Sequence, residues 1–318
     1  MFTPADIINL IAINIRKTRN PFGAPGSKIN TWWKGSPGFT RRPGDALLFT
    51  GLMYQSIPYI EATTSVLSRL EGTRWADYLR FSRFSRYFPS FLVGWGFSLL
   101  TSKAERKQFN GILQTIHRLL SNSGVGFFYN PDMDFYSGIL LYDLGDQKGF
   151  EEHARFVART LKLHGVDKII TVDPHTTYAL KELYPKYIGV SFDVQPYFAL
   201  LQPKPVSGSN GKPPVAIHDP CFYGRYLKLS DAPRQVLTNL GLPFVEVRNC
   251  GEFTSCCGGP AESVSPALNR EILGRRVEEL KKSGAPVVTF CPICLANLLK
   301  AGLPVEDLAS LVGRHWST

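Results

Sequence analysis

Residues 287–294 read Val-Val-Thr-Phe-Cys-Pro-Ile-Cys, and this stretch decides the fold. Val287–Phe290 is a short β-branched and aromatic run, the composition of a buried strand, and it leads into Cys291-Pro292-Ile293-Cys294 and a helix. The same strand–turn–helix order stands at 169–176, Ile-Ile-Thr-Val-Asp-Pro-His-Thr, with a helix expected from about Thr177. Two further pairs align in the same order: ALLFTGLMY (46–54) with VAIHDPCFY (215–223), and FYSG (135–138) with SCCG (255–258). Three ordered matches read as an internal repeat. Strands alternating with helices argue for an α/β fold with parallel sheets, one per copy.

Working outward, Thr3 to Lys17 reads as a helix with Thr3 as N-cap and Pro4 in the first turn. An irregular Gly-, Pro- and Trp-rich arm follows from Asn20 to Pro37. Strands are expected at Ala46–Thr50, Gly124–Phe128, Lys168–Val172, Val215–Ile217, Phe244–Val247 and Val287–Phe290. Helices are expected at Phe150–His164, ending at Gln235–Leu240, and at Leu268–Lys282 with Leu268, Ile272, Val277 and Leu280 on one face. Gln202–Pro214 is the linker candidate. The organisation expected is therefore a helix and arm at 1–43, a first domain at 44–201, a linker at 202–214 and a second domain at 215–318. The first copy needs 84 residues from Leu52 to Tyr136 where the second needs 35 from Cys221 to Cys256, so it carries an insertion, about 72–115.

The chain has 318 residues, 44% hydrophobic and 19% charged, which are globular values and leave room for two cores. The apolar run Phe91–Leu100 is ten residues, about half of a membrane-spanning helix. No cationic start precedes the apolar N-terminal run, so no secretory signal is read and a cytoplasmic setting is expected. Clustered cysteines there point to metal or redox chemistry rather than disulfides. The net charge is +10, and residues 1–110 hold 15 Lys+Arg against 6 Asp+Glu. Aromatics interleave with these cations in Thr73–Phe88 (TRWADYLRFSRFSRYF). A docking surface, for a membrane face or a membrane subunit, and a solvated helix face compete on equal terms. No nucleic-acid motif accompanies the basic charge, and nucleic acid is not expected as a partner.

All six cysteines lie between 221 and 294, as Cys221-x34-Cys256-Cys257-x33-Cys291-x2-Cys294 with Cys250 left over. Cys221 and Cys291 each follow a strand, and the carboxyl ends of parallel strands gather at one sheet edge. Gly258 and Gly259, after the paired cysteines, let backbone N–H groups come close to a bound group. Cys294 opens a helix, whose N-terminal field favours thiolates. Thiolates select zinc, copper(I) or iron–sulfur; five exceed the four of a structural zinc, so a multi-iron cluster is weighted over zinc. Cys250 reads as a core or loop thiol and not as a ligand.

HDPC at 218–221, Gly224-Arg225, CCGG at 256–259 and CPIC at 291–294 resemble the CCG (cysteine-rich) domain of heterodisulfide reductase B and D subunits and related oxidising complexes. The resemblance covers about residues 44–300, and the arm at 14–35 resembles the link that follows the ferredoxin-like part of D-type subunits. No CxxCxxC run of such a part is found. The resemblance implies two pseudo-symmetric CCG domains and a non-cubane [4Fe–4S] cluster on Cys221, Cys256, Cys257, Cys291 and Cys294. It also implies electrons arriving from a ferredoxin-like C-type subunit, alongside other redox subunits, and passing to a disulfide or onward. In the first copy the five ligand positions hold Leu52, Tyr136, Ser137, Asp173 and Thr176, so one cluster per chain is expected. His218 and Arg225, flanking Cys221, are candidates for contacting cluster sulfur or orienting a substrate. His175 beside Asp173 is expected to be structural, and Asp45, Asp132 and Asp134 show no acid–base pairing. The reading is a redox subunit of a heterodisulfide-reductase-like complex, cytoplasmic or peripheral at the inner face of a membrane. The competing reading is a zinc-stabilised or metal-free interaction subunit.

Overall fold

The structure, a computed structural model, describes residues 4–35, 41–42, 44–70, 101–204, 211–262 and 265–316. It is α/β, with two four-stranded sheets in which every pairing is parallel. The first runs β2-β1-β3-β4, from β1 (Ala46–Phe49), β2 (Phe127–Phe128), β3 (Lys168–Thr171) and β4 (Asp193–Pro196). The second runs β6-β5-β7-β8, from β5 (Val215–Ile217), β6 (Phe244–Val245), β7 (Val287–Thr289) and β8 (Val305–Asp307). Numbered from its own first strand, each sheet has the order 2-1-3-4. The aligned sequence pairs fall on matching strands, β1 with β5 and β3 with β7.

The central strands are mostly apolar, with β5 and β7 buried at every residue, because parallel strands are covered on both faces. The outer strands β4 (Asp-Val-Gln-Pro) and β8 (Val-Glu-Asp) escape a reading by hydrophobic runs. As edge strands they carry polar residues and, in β4, a proline. The sheets share one core: Leu48, Ile170 and Val172 from the first meet Ile217, Val288 and Phe290 from the second.

Part of the expected insertion belongs to that core. The helix Lys103–Asn122 starts at Ser102, whose side chain caps Glu105, and buries Phe109, Ile112, Leu113, Ile116, Leu119 and Leu120. It packs on the C-terminal helix Leu308–His315 of the second repeat. The basic aromatic stretch Thr73–Phe88 lies outside the described residues, as do 205–210 of the linker candidate. Among the described residues no helix is long and apolar enough to cross a membrane.

Two elements differ from the sequence reading. The helix after β3 begins at Pro174, because Asp173 accepts from the N–H groups of His175 and Thr176 and closes the first turn there. The helix Pro266–Lys281 buries Asn269, Leu273, Arg276, Val277 and Leu280, while Leu268 is 48% exposed. A pattern of apolar residues cannot find a face that includes a buried arginine and asparagine; their partners lie at the site described next.

Candidate metal centre

Three loops at the carboxyl edge of the second sheet carry the five cysteines. In the first, β5 runs into His218-Asp219-Pro220-Cys221. Asp219 is fully buried and held by both terminal nitrogens of Arg234 at 2.8 Å and by the Gly251 N–H at 2.7 Å. Its carbonyl accepts from Thr254 Oγ1 at 2.8 Å. These bonds tie the Cys221 loop to the segment leading into Cys256. Gly224 lets the two turns touch: a Cβ there would lie 2.3 Å from the Gly251 carbonyl oxygen.

The second loop is Cys256-Cys257-Gly258-Gly259. The Gly258 N–H donates to Cys256 Sγ at 3.3 Å, with Gly258 at φ +84°. At Gly259 a Cβ would sit 2.2 Å from Ile293 Cγ2 and 3.6 Å from Cys257 Sγ, so this residue sets the approach of the CCGG loop to CPIC. Asn297 Nδ2 holds the Cys257 carbonyl at 3.3 Å. In the third loop Cys291 is the N-cap residue of the helix Pro292–Lys300, and Cys294 sits in its first turn.

The first repeat closes the site. Pro174 and His175, from the loop after β3, line one cavity with Cys221, Cys257, Cys291 and Cys294. His175 packs its ring on Phe222 at 4.6 Å, lies at ion-pair distance from Asp173 (3.7 Å) and lines the same cavity as Cys291. Burial works against its charge, but Asp173 and Cys291 outweigh it and hold His175 up to about 10. His175, expected to be structural, is a wall of the cysteine cavity.

The five sulfurs shift one another's ionisation through their mutual proximity. Cys221 and Cys257 pull Cys256 strongly down. Burial opposes ionisation of Cys291, yet Cys294 and His175 bring it to about 6. The thiols of Cys221, Cys257 and Cys294 are all pushed up. Crowded thiols ionise in part only; five thiolates together need a cationic centre.

His218 is fully buried, and a ring nitrogen lies within 4.8 Å of the sulfurs of Cys257 and Cys294. Arg276 Nε donates to its Nδ1 at 3.0 Å. A guanidinium cannot accept, so Nδ1 presents a lone pair and the proton of the neutral ring is on Nε2. Burial, then the Arg276 charge, keep the ring neutral. His218 Nε2, Arg276 Nη2 and Asn269 Nδ2 are buried and have no acceptor among the described residues. A Cβ on Gly258 would lie 3.1 Å from that Asn269 nitrogen, so all three donors ring the cysteine loops. A group bearing its own acceptor atoms, as inorganic sulfide does, fits this donor set. The space lined by Cys221, Cys257, Cys291 and Cys294 is about 10 Å³, so the four side chains stand close around it.

The five cysteines expected as ligands and the two glycines are thus brought together, and His218 joins them as an N–H donor. Arg225 is exposed, 5.9 Å over the Tyr226 ring, and reaches the site only as a charge favouring the Cys256 thiolate. Cys250 does not line the cysteine cavity; it packs against a separate core near Val247. Arg276, Asp219, Asn269 and Asn297 were missed. Only Asp219, inside the HDPC motif, left a local signal.

The first repeat builds a different loop at the matching place. Gly51 and Leu52 both turn left-handed, at φ +59° and +58°, whereas Cys221 is right-handed at −59°. Asp134, fully buried, accepts from the Thr50 and Gly51 N–H groups at 2.8 and 3.2 Å and fixes that turn. Ser137, Asp173 and Thr176 are buried at the positions of Cys257, Cys291 and Cys294.

Residues 215–299 match the family model of the cysteine-rich CCG domain. The chain is 31% identical over 221 residues to a probable membrane-anchored ferredoxin of Chromohalobacter salexigens, covering 63% of this chain and 33% of that protein. It is 30% identical over 215 residues to the D-type subunit of the dihydromethanophenazine:CoB–CoM heterodisulfide reductase of Methanosarcina mazei, covering 61% and 53%. It is 29% identical over 207 residues to the EtfAB:quinone oxidoreductase of Syntrophomonas wolfei, covering 60% and 29%. The chain therefore spans between about a third and a half of the length of these relatives.

Proposed function

We propose, because residues 215–299 match the CCG cysteine-rich domain, that the chain is an iron–sulfur redox subunit of a heterodisulfide-reductase-like complex. It would carry one [4Fe–4S] cluster of the non-cubane kind on Cys221, Cys256, Cys257, Cys291 and Cys294. The carrying observation is the convergence of five cysteines from three loops with three buried N–H donors around them. Zinc would use four of the thiolates and bring no acceptor of its own for those donors; sulfide would. The similarity to a heterodisulfide reductase subunit and a quinone oxidoreductase supports an oxidoreductase role with partner redox subunits; a ferredoxin-like subunit as electron donor is part of the proposal.

When bound, the cluster supplies one-electron transfer. The chain's own residues hold and tune it. Arg276 orients His218 so that Nε2–H faces sulfur, and Asp219 holds the Cys221 and Cys256 loops in register. His175, contributed by the other repeat, places a cation against Cys291, so the first repeat completes the centre while offering no thiolate of its own.

Iron and acid-labile sulfide analysis of anaerobically prepared protein tests the reading. Iron and sulfide in near-equal amounts are expected, and Cys257→Ser should remove the visible spectrum of the cluster. One zinc per chain without sulfide would overturn the redox reading in favour of a zinc-stabilised subunit.

A further inference from the structure

A second cavity opens on the other flank of the cysteine loops. It is a cleft of about 390 Å³ between the 248–256 segment and the helix Pro266–Lys281, a size in the range of small-molecule sites. Cys256 is part of its wall and is the only half-buried member of the five, so the cleft gives solvent a route to that edge of the centre.

The charge on the walls is unbalanced. Of the lining carboxylates, Glu279 is taken up by Arg276 at 2.8 Å and the Asn249 N–H at 2.6 Å, and Glu278 pairs with Lys281 at 3.3 Å. Arg275 pairs with Glu271. Arg248 and Lys282 are exposed on the lining with no carboxylate partner among the described residues. Arg276, 1% exposed, adds a buried positive charge to the wall. Two free cations at the mouth, a buried guanidinium in the wall and an apolar face at Ile272 describe a receptor for an anion with a less polar end.

We infer that this cleft binds a small molecule through an anionic group held by Arg248 and Lys282, its uncharged end lying against Ile272 and Cys256. The inference extends the functional reading by giving the ligand's charge and side of approach, and rests on that reading only for the role of Cys256.

The test uses the full chain prepared anaerobically with its metal complement. Binding of 3-mercaptopropionate, propionate and 2-mercaptoethanol is measured by calorimetry at low salt. The two carboxylates should bind at least about tenfold more tightly than neutral 2-mercaptoethanol, and Arg248→Ala/Lys282→Ala should remove that preference. Both side chains are exposed, so the double variant should keep the wild-type melting temperature and iron content. Equal affinity for the neutral probe, or an unchanged preference in the double variant, would overturn the inference. Iron and sulfide measured on the same samples separate the two claims: carboxylate binding without sulfide sinks the redox reading and leaves the cleft, and the reverse result sinks the cleft alone.

Discussion

Arg276 Nε donates to His218 Nδ1 at 3.0 Å, and this single bond decides what His218 can do. With Nδ1 committed as acceptor, Nε2 carries the proton, buried and without an acceptor among the described residues, on a ring within 4.8 Å of the Cys257 and Cys294 sulfurs. A nitrogen ligand would need the lone pair there instead. His218 is thus suited to hydrogen-bonding sulfur rather than to binding iron or zinc.

Replacing that donor should move the potential of the loaded centre. An N–H aimed at sulfur favours the reduced, more negative state. His218→Phe is expected to lower the midpoint potential by on the order of 50 mV, the one-electron equivalent of about 1 kcal/mol. Potentiometric titration followed by electron paramagnetic resonance reads it. A wild-type potential with full iron content would show that Nε2–H does not reach sulfur.

Arg276 should matter to stability as well. Arg276→Met keeps length but strands the Asn249 carbonyl and Glu279 and frees the His218 ring. Breaking such a buried charged network costs about 3 kcal/mol, which urea unfolding would register as an earlier midpoint at unchanged slope. A loss below about 0.5 kcal/mol would mean that the network is not formed as described.

Gly259 offers a test with a built-in rescue. A methyl group there would lie 2.2 Å from Ile293 Cγ2, so Gly259→Ala should push the CCGG and CPIC loops apart and lower the iron bound per chain. Adding Ile293→Ala removes the obstructing atom and should restore much of that iron. Failure of the second change to restore iron would place the defect in backbone strain instead.

Asp307 ties the second sheet to the first repeat, accepting from Tyr54 Oη at 2.6 Å and from the Ala309 N–H at 2.8 Å. Burial, partly offset by these bonds, raises its carboxyl to about 7. Its folded pKa exceeds the unfolded value near 3.9, so the folded state binds the extra proton between those values. This group's contribution is full at low pH and falls as pH rises towards 7, by at most about 1.4 kcal/mol per unit. Asp307→Asn should flatten the decline in urea midpoint between pH 5 and 7 without changing the slope above 8. A parallel decline in both proteins would assign the pH dependence to other groups.

Much of this was legible in the chain itself because it is local. VVTFCPIC and VAIHDPC each place a cysteine one step beyond a buried strand, and parallel pairing then brings those steps to one edge. The repeat was readable for the same reason, down to the replaced ligands Asp173 and Thr176. Edge strands β4 and β8 were not readable, since half-covered strands need no apolar run. Nor was the buried face of the helix Pro266–Lys281, whose Asn269 and Arg276 defy apolar periodicity.

By itself the sequence determined two parallel α/β repeats and a cysteine-rich site confined to the second. Only the tertiary structure decided what surrounds those cysteines. Arg276 meets His218 across 58 residues, and His175 reaches Cys291 from the opposite repeat. The physical reason is that strand order and loop position follow from hydrogen-bond register and hydrophobic runs, which are written locally. The burial of a charged or polar side chain is favourable only where a distant partner meets it, and that meeting exists only once helices and sheets are packed.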